Sequence, residues 1–127
     1  MIQGIGIDII EISRIQDVYR MYGDSFLDRV YSKNEISYCF GKKDPFPHLA
    51  GRFAAKEAFI KAVPLIRTKK FHLKDIEIMT DPRLKKPDIT LYGITKEAFS
   101  GMDDSRILVS ISHSKTHAVA QVIIALP

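Results

Sequence analysis

One cysteine, Cys39, stands in a chain of 127 residues. A lone thiol builds no disulfide framework, so the expected compartment is a reducing one, the cytoplasm. No apolar run approaches the length of a membrane span, and the first residues lack the basic-then-apolar pattern of a secretory signal. A third glycine is missing from GIGIDI: position 9 is Ile9, and the dinucleotide fingerprint G-x-G-x-x-G fails there. Neither the phosphate loop G-x-x-x-x-G-K nor the nucleophile elbow G-x-S-x-G occurs, which removes P-loop enzymes and elbow-type serine hydrolases. His48 and His117 have no spacing to other histidines or cysteines that suits zinc. Repeats, low-complexity tracts and linkers are absent, so one domain over residues 1–127 is expected.

What remains is ordinary in bulk and specific in detail. Hydrophobic residues at 46% and charged residues at 27% describe a globular chain. A net charge of +4 favours an anionic partner: nucleic acid, a phosphorylated small molecule or an acidic protein. Lys69, Lys70, Lys74, Lys85 and Lys86 are scattered over loops and form no single nucleic-acid stripe, and no aromatic-plus-basic sheet for stacking bases is visible.

The opening MIQGIGIDIIEI alternates β-branched residues with a period of two and predicts a strand. Ser13 is the expected cap of a helix from Ile15 to Met21, stopped by Gly23. Ser32 with Glu35 three residues on has the spacing of a capping box and predicts a second helix over Lys33 to Phe40. GKKDPFP reads as a loop, and HLAGRFAAKEAFIKAV from His48 as the main helix, ended by Pro64. DIEIMTD and DITLYG predict strands on either side of the turn DPRLKKP, and ITKEAFSGM a short helix stopped at Gly101. RILVSISHS and THAVAQVIIAL predict two long strands joined around Ser114 to Thr116. The class that follows is α+β, a mostly antiparallel sheet packed against a long central helix.

Asp8 is the anomaly of the first strand, because a carboxylate among apolar neighbours costs roughly several kcal/mol unless a cation or donors meet it. Gly4 and Gly6 share its face and admit a close approach by another backbone or a ligand. On the main helix Phe53, Glu57 and Lys61 form one stripe, with Arg52 and Lys56 in a neighbouring basic row. That spacing fits two readings. One is a surface ion pair between Glu57 and Lys61. In the other, Asp8 and Glu57 share a hard cation such as magnesium while Lys61 and Arg52 hold phosphates. His113, at a strand end beside Ser112, Ser114 and Lys115, is either a phosphate contact or part of a hairpin rich in turn formers. Arg14 and Arg20 on the first helix are either a solvated face or a docking surface for an acidic protein helix.

Taken together, GIGIDIIEISRI, RVYSKNEISYC, HLAGRFAAKEAFIKA and VSISHSKTHAVAQV resemble, in order and spacing, the holo-acyl-carrier-protein synthase family. These are the small, single-domain 4′-phosphopantetheinyl transferases. The resemblance implies transfer of 4′-phosphopantetheine from coenzyme A to a serine of apo-acyl carrier protein, with release of adenosine 3′,5′-bisphosphate. It also implies magnesium and a homotrimer with active sites at subunit interfaces. Residue by residue, Asp8 and Glu57 match the metal carboxylates, and Lys61 and Arg52 the basic residues associated with coenzyme A phosphates. His113 matches a histidine near the coenzyme, and Arg14 and Arg20 fall in the helix that receives the carrier protein. Catalysis is thereby expected of Asp8, Glu57 and Lys61. The chain departs from the family in AVPLIRTKKFHLKD, free of the usual glycines, and in RLKKP. Competing functions are a non-catalytic scaffold for carrier protein, a small basic RNA-binding module and a carboxylate-based phosphodiesterase. The RNA-binding module would leave Asp8 and the Glu57 stripe unexplained.

Overall fold

In the computed structural model, which describes residues 1–63, 71–99 and 105–127, the first strand β1 (Ile2–Glu11) runs directly into helix α1 (Ile12–Tyr22). Ser13 therefore does not cap α1. The N-cap position falls on Glu11, which makes no side-chain cap bond, and the backbone N–H of Ile12 instead donates to the carbonyl of Thr116 at 2.9 Å. Gly23 ends α1 as expected, with φ of 56° and its N–H on the Tyr19 carbonyl. A short helix α2 (Asp24–Val30) follows, not foreseen because seven residues are too few to display a period; it buries Leu27 and Val30. Helix α3 (Lys33–Phe40) carries the expected capping box, Ser32 Oγ accepting from Glu35 N and Glu35 Oε1 from Ser32 N.

The expected loop GKKDPFP is only half a loop. Helix α4 (Pro45–Ala62) begins inside it, capped by Asp44, whose Oδ1 accepts from Phe46 N at 3.1 Å. Prolines are tolerated there because first-turn N–H groups have no partner within the helix. After α4 come β2 (Ile76–Thr80), β3 (Pro87–Leu91), α5 (Gly93–Ala98), β4 (Arg106–His113) and β5 (His117–Ala125). The stops expected at Pro64 and Gly101, and half of the glycine-free segment, lie outside the described residues.

Among the described residues all strand pairs are antiparallel, in two sheets: a three-stranded one of order β1-β5-β4 and the β2-β3 hairpin. The class is α+β as expected, with the pairing divided over two sheets rather than one. Helix α4 lies across the three-stranded sheet and buries Ala50, Ala54, Ala55, Ala58 and Ala62 against Ala118, Ala120, Val122 and Ile124. A Cβ on Gly6 would sit 2.0 Å from the Ala58 carbonyl oxygen, and one on Gly4 1.7 Å from that of Ala62. The glycines of β1 thus admit another backbone, that of α4.

On the far side of α4 the Lys56 ammonium is fully buried and donates to Glu35 Oε1 (2.7 Å) and to the carbonyls of Leu73 (2.8 Å) and Ile76 (2.7 Å). Glu35 Oε2 accepts from Ile78 N at 3.0 Å. Burial pulls the Lys56 pKa down and Glu35 holds it up, and with three acceptors the ammonium stays charged. One ion pair so ties α4 to α3 and β2.

Candidate active site

Asp8 follows Gly4 and Gly6 on the face of β1 that meets α4, so the contact made by the glycines delivers its carboxylate to the end of the helix. Lys61, in the last turn of α4, donates to Asp8 Oδ1 at 2.9 Å and to the Ile7 carbonyl at 3.1 Å. Glu57 lies one turn earlier. Asp8 and Glu57 line one cavity of about 240 Å³ with Arg14, Val18, Phe26 and Phe53. Burial, and then the nearby Asp8 charge, hold the Glu57 carboxyl above its ordinary value, with Lys61 opposing.

The geometry does not bear out a Glu57–Lys61 ion pair on the helix stripe. Among the described residues Lys61 pairs with Asp8 and not with Glu57. Two carboxylates crowd one cavity, one of them resisting ionisation, and an ammonium already bridges the other. A donor set of two hard oxygen groups suits a hard divalent cation that takes its remaining ligands from water and phosphate. Among the described residues no cluster of three or more His, Cys, Asp or Glu forms an all-protein cage.

Arg14 converges on this cavity, whereas Arg20 stays on the outer surface of α1, paired with Asp17 at 3.6 Å. Arg52 does not reach Asp8 within the chain. Five residues before Glu57, it is turned about 140° round the helix. Its guanidinium lies 4.1 Å from the Tyr38 ring centroid and donates to Thr80 Oγ1 at 3.3 Å. Arg52 is 4% exposed, and its Nε has no partner among the described residues. His113 is exposed at the end of β4, on the opposite edge of the sheet from β1. In register His113 stands opposite Ala118 and then Ile10, two strand spacings across and two residues along from Asp8, about 12 Å in all.

Arg52 and His113 instead belong to a second, cationic group. The His48 ring lies 6.0 Å from those of both Tyr38 and His113, and the Lys42 ammonium 4.6 Å from the Tyr38 centroid. Burial, Arg52, His113 and Lys42, in that order, push the His48 pKa below its usual value. Sequence reasoning weighed His48 only as a zinc ligand. Its place four residues before Arg52, on the same helical stripe, was the signal that joins them. Nothing in the local sequence pointed to Phe26 as a cavity wall, since α2 itself was not foreseen.

The family model of the 4′-phosphopantetheinyl transferase superfamily matches residues 4–121. A holo-[acyl-carrier-protein] synthase of Thermodesulfovibrio yellowstonii is 43% identical over 124 residues, 98% of this chain and 99% of its own. The crystal structure of the holo-[acyl-carrier-protein] synthase of Neisseria meningitidis superposes with a TM-score of 0.85 at 30% identity, covering 98% of this chain and 99% of that one. The synthase of Bacillus anthracis, solved in complex with CoA (3′,5′-ADP), superposes with a TM-score of 0.80 at 39% identity, covering 100% of this chain and 99% of that one. A match over nearly the whole length, in sequence and in fold, makes this chain a member of the 4′-phosphopantetheinyl transferase superfamily.

Proposed function

We propose that the protein is a holo-[acyl-carrier-protein] synthase, which moves 4′-phosphopantetheine from coenzyme A to a serine of apo-acyl carrier protein. The observation that carries this reading is the meeting of Asp8, Glu57 and Arg14 around one cavity, with Lys61 bonded to Asp8. Asp8 and Glu57 would hold magnesium, which when bound supplies neutralising charge to the pyrophosphate of coenzyme A. The serine oxygen of the carrier attacks the β-phosphorus, and the bond from that phosphorus to the bridging oxygen breaks. Adenosine 3′,5′-bisphosphate leaves with the electron pair. Lys61, on the exposed rim, steadies the charge that gathers on the departing phosphate. Glu57 takes the serine proton through an intervening water. Arg14 at the cavity and Arg20 further along α1 draw the acidic carrier protein to this face.

The group of Lys42, His48, Arg52 and His113 suits the nucleotide end of coenzyme A, and its distance from Asp8 is resolved by a second copy. The outer face of the three-stranded sheet exposes Ile5 (59%), Ile7 (59%), Ile9 (65%) and Leu108 (44%). A homotrimer closed over these faces would cover their exposed apolar side chains. The lone Cys39 is buried, with its pKa pushed up to about 11 by that burial, and the cytoplasm is the compartment we assign. No helix among the described residues is long and apolar enough to cross a membrane.

The test is intact-mass measurement of an apo-acyl carrier protein after incubation with the protein, coenzyme A and magnesium. A gain of one phosphopantetheine, abolished by chelator and by Asp8→Ala in a folded variant, is expected. Carrier binding without any gain would leave a non-catalytic scaffold. Hydrolysis of coenzyme A without a carrier would identify a phosphodiesterase.

A further inference from the structure

Lys61 stands where the cation is needed. Its ammonium caps Asp8 Oδ1 at 2.9 Å and the Ile7 carbonyl at 3.1 Å, and among the described residues it has no other partner. A magnesium ion on that oxygen would sit about 2.0–2.1 Å away. Two cations cannot share one carboxylate oxygen at those distances without strong mutual repulsion. The two lysines of α4 differ in freedom. Lys56 is fully buried with three acceptors and cannot leave, whereas the Lys61 side chain is 54% exposed and can swing into solvent without stranding a buried charge. Asp8, at 18% exposure, would be left as an anion beside Glu57, an arrangement that calls for a replacement cation.

Resting on the reading of Asp8 and Glu57 as the metal carboxylates, we infer that Lys61 is a gate on the metal site. It occupies Asp8 in the free protein, excludes the divalent cation, and yields when a phosphate-bearing substrate offers its ammonium a stronger anion. Metal and coenzyme then enter together, each raising the affinity for the other by the same factor. The exchange keeps the charge of the cavity balanced at each stage: ammonium on carboxylate before, ammonium on phosphate and metal on carboxylates after. The free protein is thereby protected from filling with metal in the absence of substrate.

The experiment reads Mn2+ binding to the whole protein by paramagnetic resonance of the free ion, with no coenzyme present. Lys61→Met should bind Mn2+ about fivefold more tightly than wild type, the factor expected from releasing a half-exposed ion pair at the upper end of its range. Asp8→Ala should bind it far more weakly. In a parallel measurement on the unaltered protein, the lysine ammonium signal that Lys61→Met removes should hold its position when Mg2+ alone is added and shift when coenzyme A and Mg2+ are added together. Equal or weaker Mn2+ binding by Lys61→Met, or a Lys61 signal that moves with Mg2+ alone or stays unmoved with coenzyme A and Mg2+ together, would overturn the gate while leaving the two-carboxylate site standing. Unchanged binding by Asp8→Ala would overturn that site itself.

Discussion

Gly6→Ala is the smallest substitution that should break both the fold and the site. The added carbon would lie 2.0 Å from the Ala58 carbonyl oxygen and 2.9 Å from the Ala62 nitrogen, both backbone atoms of α4. Neither atom can rotate away. Restoring an ordinary contact of about 3.4 Å requires β1 and α4 to part by about 1.4 Å. Overpacking typically costs about 1–3 kcal/mol, and a clash between two backbones belongs at the top of that range. About 3 kcal/mol lowers the melting temperature of a domain this size by roughly 10–15 °C. The displacement also carries Asp8 away from Glu57, and misplacing a catalytic group by about 1 Å costs on the order of a hundredfold in rate. Urea unfolding and the carrier-protein mass assay measure the two effects. Gly51→Ala is the control, because its added carbon meets only the Ile111 Cγ2 methyl, at 2.9 Å, and gains helix propensity. It should stay within about 1 kcal/mol of wild type. A Gly6→Ala protein as stable and as active as the Gly51→Ala control would refute the claim that glycine sets the spacing of β1 and α4.

Glu35→Leu strands the buried Lys56 charge and should destabilise by about 3–5 kcal/mol in urea unfolding, while the double variant Glu35→Leu/Lys56→Met should recover most of that loss. The His48 pKa is lowered by burial and by Arg52, His113 and Lys42, against Asp44, so the unfolded chain binds the proton more readily. That contribution is complete above the ordinary value of 6.5 and is lost as pH falls through it; thermal unfolding between pH 5 and 8 should show this, and His48→Gln should flatten it. Adenosine 3′,5′-bisphosphate, if held by this cationic group, should raise the His48 pKa, read from its ring proton by NMR. Ile7→Lys places a charge on the apolar outer face of the sheet; for the proposed trimer, light scattering should report a mass shifted to that of the monomer, with transfer lost alongside.

Local chemistry made much of this protein legible in its sequence. The capping box at Ser32 and Glu35, the alternation of GIGIDIIEI, the turn formers of SKT and the α+β order of elements act over a few residues, and each emerged where expected. The suspicion that Asp8 needs a cationic partner was also sound, because the cost of a carboxylate in an apolar strand is local. Helix starts were read less well. Ser13 lost the cap of α1 to a backbone bond from Ile12 to Thr116, a residue 104 positions away. Only the tertiary structure could decide which basic residue of α4 does what. Spacing placed Arg52, Lys56 and Lys61 on one basic helix, yet the packing of α3 and β1 against different sides of it separates their partners. Lys56 is locked to Glu35 on α3, Arg52 stacks on Tyr38, and Lys61 alone reaches Asp8. A helix presents every side in sequence with equal emphasis. The neighbour that covers each side, brought from far along the chain, determines whether a charge is buried, stacked or free to act.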